Sequence, residues 1–92
     1  MQWQVKLTSK ADKQAGRLPR NIRDRLYMLM EEIRQTGPVR GNWPNYSKLA
    51  SGGHHCHLKK GKPTYVAVWE EREKEIRLIE VIYAGTHEKA PY

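Results

Sequence analysis

The chain opens with Trp3, Val5 and Leu7 alternating with polar neighbours, the period of a short strand that buries one face. Ser9 then offers a helix cap with Asp12 as its capping-box acid, and Ala11, Ala15 and Leu18 follow at helical spacing. Gly16 weakens this first helix near its end. Pro19 suits the opening turn of a second helix, where its missing N–H costs nothing. In "RNIRDRLYMLMEEIRQTG" Ile22, Leu26, Leu29, Met30 and Ile33 recur every third or fourth residue, an apolar stripe that Gly37 and Pro38 terminate.

From Gly37 to Gly53 glycines, prolines and asparagines predict a loop, with a short pairing around Lys48 to Ala50. Beyond it the period changes to two, in "HHCHL", "TYVAVWE" and "EIRLIEVIY", separated by "KKGKP" and the charged turn "EREK". Val66 and Val68 fall on one side of the middle run and Tyr65, Ala67 and Trp69 on the other. A strand apolar on both faces belongs at the centre of its sheet. The expected fold is therefore α+β: an N-terminal strand, a two-helix hairpin, then a three- to four-stranded antiparallel sheet with the helices over one face.

The 92 residues make a single domain, 1–92, whose small core has to be compact. Composition narrows the partner: 17 Lys and Arg against 10 Asp and Glu give a net charge of +7, so a polyanion, nucleic acid first, is expected. One cysteine cannot form an internal disulfide, and "MQWQVKLTSK" is not an apolar signal segment, so the expected compartment is a reducing cytoplasm. No apolar run approaches the roughly 20 residues of a membrane span.

The chemistry concentrates in "HHCHLKKGKP", which holds three of the four histidines and the only cysteine. As a strand it puts His55, His57 and Lys59 on one face and His54, Cys56 and Leu58 on the other. That split makes a zinc cage from this segment alone awkward, although His55 and His57 could be joined by His87; the usual metal-ligand spacings are missing. Cys56 beside Leu58 reads as a core residue and His54 as the cap of a strand edge. His55 and His57, next to Lys59, Lys60 and Lys62, suit proton exchange beside a bound phosphate, because imidazole titrates near neutrality.

The "RLPRNIRDRLYMLMEEI" helix, the "KLASGGHHCHLKKGKPTYVAVW" hairpin and the tail "VIYAGTHEKAPY" together resemble the RelE/ParE superfamily of bacterial toxins, and more narrowly its RelE-like messenger-RNA interferases. The resemblance implies a ribosome-dependent endoribonuclease that needs no cofactor or metal and uses the RNA 2′-hydroxyl as nucleophile. It also implies a cognate antitoxin as partner, with operator DNA bound only by the toxin–antitoxin complex. Matched residue by residue, it implies a catalytic set of His55, His57, Lys59, His87 and Tyr92. RelE carries an arginine after the tyrosine of its middle strand where this chain has Val66, which leaves Lys60, Lys62 or Arg77 to clamp the phosphate. Arg20, Arg23 and Arg25, off the apolar stripe of the second helix, are the expected ribosome-docking face. Two other classes fit the charge: a ParE-like gyrase poison, which needs no acid–base residues, and a non-catalytic nucleic-acid-binding module.

Overall fold

In the computed structural model, which describes residues 2–92, the apolar stripes of the two helices and the inward face of a sheet close on one another. The elements are β1 (Gln4–Leu7), α1 (Ser9–Gly16), α2 (Arg20–Thr36), β2 (Ser47–Lys48), β3 (His54–Lys59), β4 (Tyr65–Glu73) and β5 (Leu78–Thr86). A 3-10 turn, His87–Lys89, follows β5. The sheet has five strands in the order β1-β5-β4-β3-β2. All neighbours are antiparallel except β1 and β5, which pair in parallel from Gln4 opposite Leu78 to Leu7 opposite Val81. The N-terminal strand is thus the outer strand of a mixed sheet, adding to the antiparallel set expected from the sequence.

Local chemistry moves several boundaries. The cap of α1 is Thr8, whose hydroxyl accepts from the Ala11 N–H at 3.1 Å, one residue before the expected Ser9. The long hairpin continues past the expected turn at "EREK", so β4 runs to Glu73 and β5 starts at Leu78. Its charged residues are compatible with that extension because Arg72 bonds both Glu70, at 2.9 Å, and Glu80 across the strand, at 2.7 Å. Arg77, with a φ of 53°, makes the turn.

Ala11, Ala15, Leu18, Ile22, Leu26, Leu29 and Ile33 from the helices pack against Cys56, Leu58, Ala67, Trp69, Ile79 and Val81 from the sheet. Fully burying a leucine, isoleucine or valine among them contributes about 1.5–3 kcal/mol. Gly37 is required where the chain leaves α2, since its φ is +104° and an added Cβ would lie 3.1 Å from the Trp3 ring. On the sheet's other face Val66, Val68 and Tyr83 form a smaller buried patch, with Leu49, Ile82 and Ala90 packed on it. Neither α1 nor α2 contributes to that patch. The chain after β5 returns across it.

Candidate active site

Alternation along β3 sorts the "HHCHL" residues between the two faces as the period of two requires. His54, Cys56 and Leu58 are buried toward the helices, whereas His55 and His57 pair opposite Val68 and Val66 on the open face. Burial pushes the Cys56 thiol up to about 12, so it holds no thiolate at neutral pH. His54 does not cap a strand edge: its ring stacks on Trp69 at 5.8 Å and 7° between planes, and its Nδ1 lies 2.7 Å from the Tyr46 hydroxyl. The correction follows from register, because His54, the first residue of β3, sits opposite the fully buried Trp69 in the middle of β4.

The open-face histidines meet the tail. Tyr83 donates to the Thr86 carbonyl at 2.7 Å and His87 N–H donates to the Thr64 carbonyl at 2.9 Å, which ties the exit of β5 to the start of β4. Ala90 then seats on the Val66, Val68 and Tyr83 patch, and the last residue arrives above β3. The Tyr92 ring stacks on His55 at 4.5 Å and 26°, and the His87 ring stands edge-on to His57 at 5.7 Å. His87 and Tyr92 are themselves 6.0 Å apart. Four of the sequence-predicted residues therefore converge from one strand and one tail.

Both His55 and His57 are held below the ordinary imidazole range, first by burial and then by neighbouring imidazoles, with Lys60 adding to the effect at His57. Burial likewise pushes the Tyr92 phenol up. At neutral pH these groups are thus two uncharged imidazoles and an intact phenol. His55 Nε2 lies 2.6 Å from the Ser47 hydroxyl, a partner supplied by β2. Sequence reading missed Ser47; its only signal was the expected pairing near Lys48, and the register that sets it opposite His55 is a tertiary fact.

The remaining predicted residues divide. Lys59 does not share the histidine face, because the register shifts after His57 so that Lys59, and not Leu58, lies opposite Tyr65, whose ring packs toward the helices. One inserted residue reverses the alternation. Lys60 and Lys62 are exposed on the β3–β4 turn, and Lys62 with Thr64, Thr86 and His87 lines an open groove of about 660 Å³ beside the cluster. Arg77 is at the opposite end of β5, about 26 Å along the strand at about 3.3 Å per residue, with its guanidinium 5.2 Å from the Trp3 ring. Arg20 is exposed, but Arg23 donates to the Gly16 and Leu18 carbonyls, both at 3.3 Å. Arg25 donates to the Leu58 carbonyl at the bulge and lies over Trp43 at 5.7 Å. Those two arginines are in part structural, where the sequence suggested a free docking face.

Among the described residues, no group of three or more His, Cys, Asp or Glu is arranged to hold a metal ion. No helix among them is long and apolar enough to cross a membrane.

No family model and no curated protein matches this sequence. Solved structures do. E. coli toxin RelE, as an arginine-to-alanine mutant in the free state, superposes with a TM-score of 0.72 at 18% identity over 98% of this chain and 88% of its own. RelE in the archaeal RelE–RelB complex of Pyrococcus horikoshii gives 0.63 at 12% identity, over 98% and 100%. A metal-bound toxin from Helicobacter pylori gives 0.62 at 15% identity, over 95% and 97%. Each match spans nearly the whole length of both chains. The histidine cluster is therefore built on the open sheet face of a RelE-like fold.

Proposed function

We propose that this chain is the toxin of a type II toxin–antitoxin system and a metal-independent endoribonuclease that cuts messenger RNA on the ribosome, in the cytoplasm. The observation that carries the reading is the convergence of His55, His57, His87 and Tyr92 on the open sheet face, beside a turn bearing Lys60 and Lys62.

Cleavage by an internal 2′-hydroxyl has three needs: removal of the 2′ proton, charge balance on the pentacoordinate phosphate, and protonation of the departing 5′-oxygen. A neutral, partly buried imidazole suits the first. The lysines of the turn suit the second, and a histidine in its protonated form the third. Tyr92, 47% exposed, offers the ring face not stacked on His55 to an unpaired base. The net charge of +7 supports docking on ribosomal RNA. The antitoxin assignment draws on the likeness to a RelE that forms a complex with RelB. A disordered acidic segment that folds on the basic surface is the expected mode.

The test is induction of the chain in cells followed by mapping of messenger-RNA 5′ ends, with purified protein assayed on programmed ribosomes. New cleavage sites within ribosome-bound messages, and products ending in 2′,3′-cyclic phosphate formed in a chelator-treated toxin, are the expected result. DNA gyrase arrest without RNA cleavage would replace this reading with the ParE-like one.

A further inference from the structure

The open-face histidines are not equivalent. His55 Nε2 is engaged by the Ser47 hydroxyl at 2.6 Å, and its Nδ1 is buried without a hydrogen-bond partner, so neither nitrogen is free to exchange a proton with RNA. His57 has only Nδ1 closed off in this way, while His87 is exposed. His55 also makes the closest ring stack among the described residues, the 4.5 Å contact with Tyr92.

We propose that His55 is a positioning residue: Ser47 holds its ring on β3, that ring carries Tyr92 over the site, and the proton transfers belong to His57 and His87. This assignment rests on the RNA-cleaving reading and divides the labour within it. Ser47 and His55 are direct cross-strand partners, so the hydroxyl is within reach of the ring by register alone. The tail has no strand partner beyond β5. Its backbone is tied through His87 to Thr64, and Ala90 sits on the small apolar patch, yet Tyr92 lies two residues farther on. Without a ring beneath it, Tyr92 would sample many positions, and ordering it only on RNA binding would weaken the complex.

The charge state of His55 agrees with a platform role. Its neutral tautomer with the proton on Nε2 donates to Ser47 and leaves only a bare lone pair at the buried Nδ1. A protonated ring would instead bury an N–H that has no acceptor, which is costly. What separates His55 from His57, whose Nδ1 is buried in the same way, is that its Nε2 is occupied as well, which leaves it no nitrogen for proton exchange.

The experiment compares His55→Phe, His55→Ala, Ser47→Ala, Tyr92→Ala and the His55→Ala/Tyr92→Ala double variant, on programmed ribosomes and by NMR of the free protein. His55→Ala and Tyr92→Ala should each raise KM by about tenfold, the scale of one lost base stack, and the double variant should be little worse than either. His55→Phe should recover cleavage to within about threefold of wild type and keep both limbs of the pH–rate profile, which an acid or base could not do. Ser47→Ala should give a smaller loss of the same kind. In the free protein, the His55 ring should stay neutral and hydrogen-bonded through Nε2 near pH 6, and Tyr92 ring resonances should move when His55 becomes Ala.

Loss of a pH limb in folded His55→Phe, with activity as low as in His55→Ala, would overturn the positioning role while leaving the nuclease reading intact. A wild-type protein that cleaves no ribosome-bound RNA would remove both. A His55 ring that titrates freely, or a Tyr92 signal indifferent to its loss, would sink the platform without any activity measurement.

Discussion

His54 and His55 are adjacent in sequence and lie on opposite faces of one strand, and they have almost nothing else in common. His54 is 1% exposed, sealed between Tyr46 and Trp69 under the helices. His55 stands on the face that the tail crosses, within reach of His57, His87 and Tyr92. The covered face is continuous: its apolar side chains interlock from α1 through Trp69 to Val81, and a polar group there has to find its partners inside the protein. The open face has only a small apolar patch, and His57 and His87 meet beside it. The difference is one of packing, and residue type does not predict it.

The largest expected effect comes from breaking the covered face. Trp69→Ala removes the ring that stacks on His54 and donates to the Pro38 carbonyl at 3.0 Å, and should cost about 3–5 kcal/mol. A urea-unfolding midpoint close to wild type would contradict the central place given to Trp69. Next, on the open face, His57→Ala should lower cleavage by about 10²-fold or more with little change in that midpoint. Equal losses of stability and activity would mean that the two faces are not separable.

Arg25→Ala tests the seam between them, because its guanidinium bonds the Leu58 carbonyl where the bulge turns Lys59 away from the histidines. The expected loss is about 1–2 kcal/mol. If ribosome binding falls while stability does not, the side chain is a docking group after all. Arg20, which is exposed, is the cleaner site for charge reversal, and Arg20→Glu should weaken ribosome association through lost phosphate contact.

The smallest effect is on pH. His54 is buried and held below its ordinary value of 6.5, chiefly by desolvation, so the folded state disfavours its protonation. As pH falls below about 6.5 the unfolded chain binds the proton first, and stability present above that value is lost as pH moves toward the lower folded value. His54→Leu should remove part of this slope, with His55 and His57, lowered in the same direction, supplying the rest. An unchanged acid slope in His54→Leu would show that the folded ring titrates as it does in the unfolded chain.

Much of this molecule was legible in the order of its residues. The Ile22, Leu26, Leu29 and Ile33 stripe buries as its period requires, and Val66 and Val68 separate from Ala67 and Trp69 by simple alternation. The same period puts Cys56 in the core and His55 and His57 outside it. These are local facts, set by 3.6 or two residues per repeat, and any window of the chain carries them.

What the tertiary structure alone decided depends on register and on contacts between distant segments. The inserted residue at Leu58, which reverses the face of Lys59, has no mark in "HHCHLKK" because the bulge is defined by the partner strand. Arg77 was grouped with the phosphate-binding lysines by residue type, yet the length of the β4–β5 hairpin carries it to the far end. The pairing of β1 beside β5, the reach of Ser47 to His55 and the return of Tyr92 over β3 each join residues far apart in the chain. The sequence by itself determined which residues turn inward and which chemical groups the strand and tail present. Their meeting was decided only when the sheet closed and its small uncovered patch drew the tail back across it, since burial of that patch is a property of the assembled surface and of no single segment.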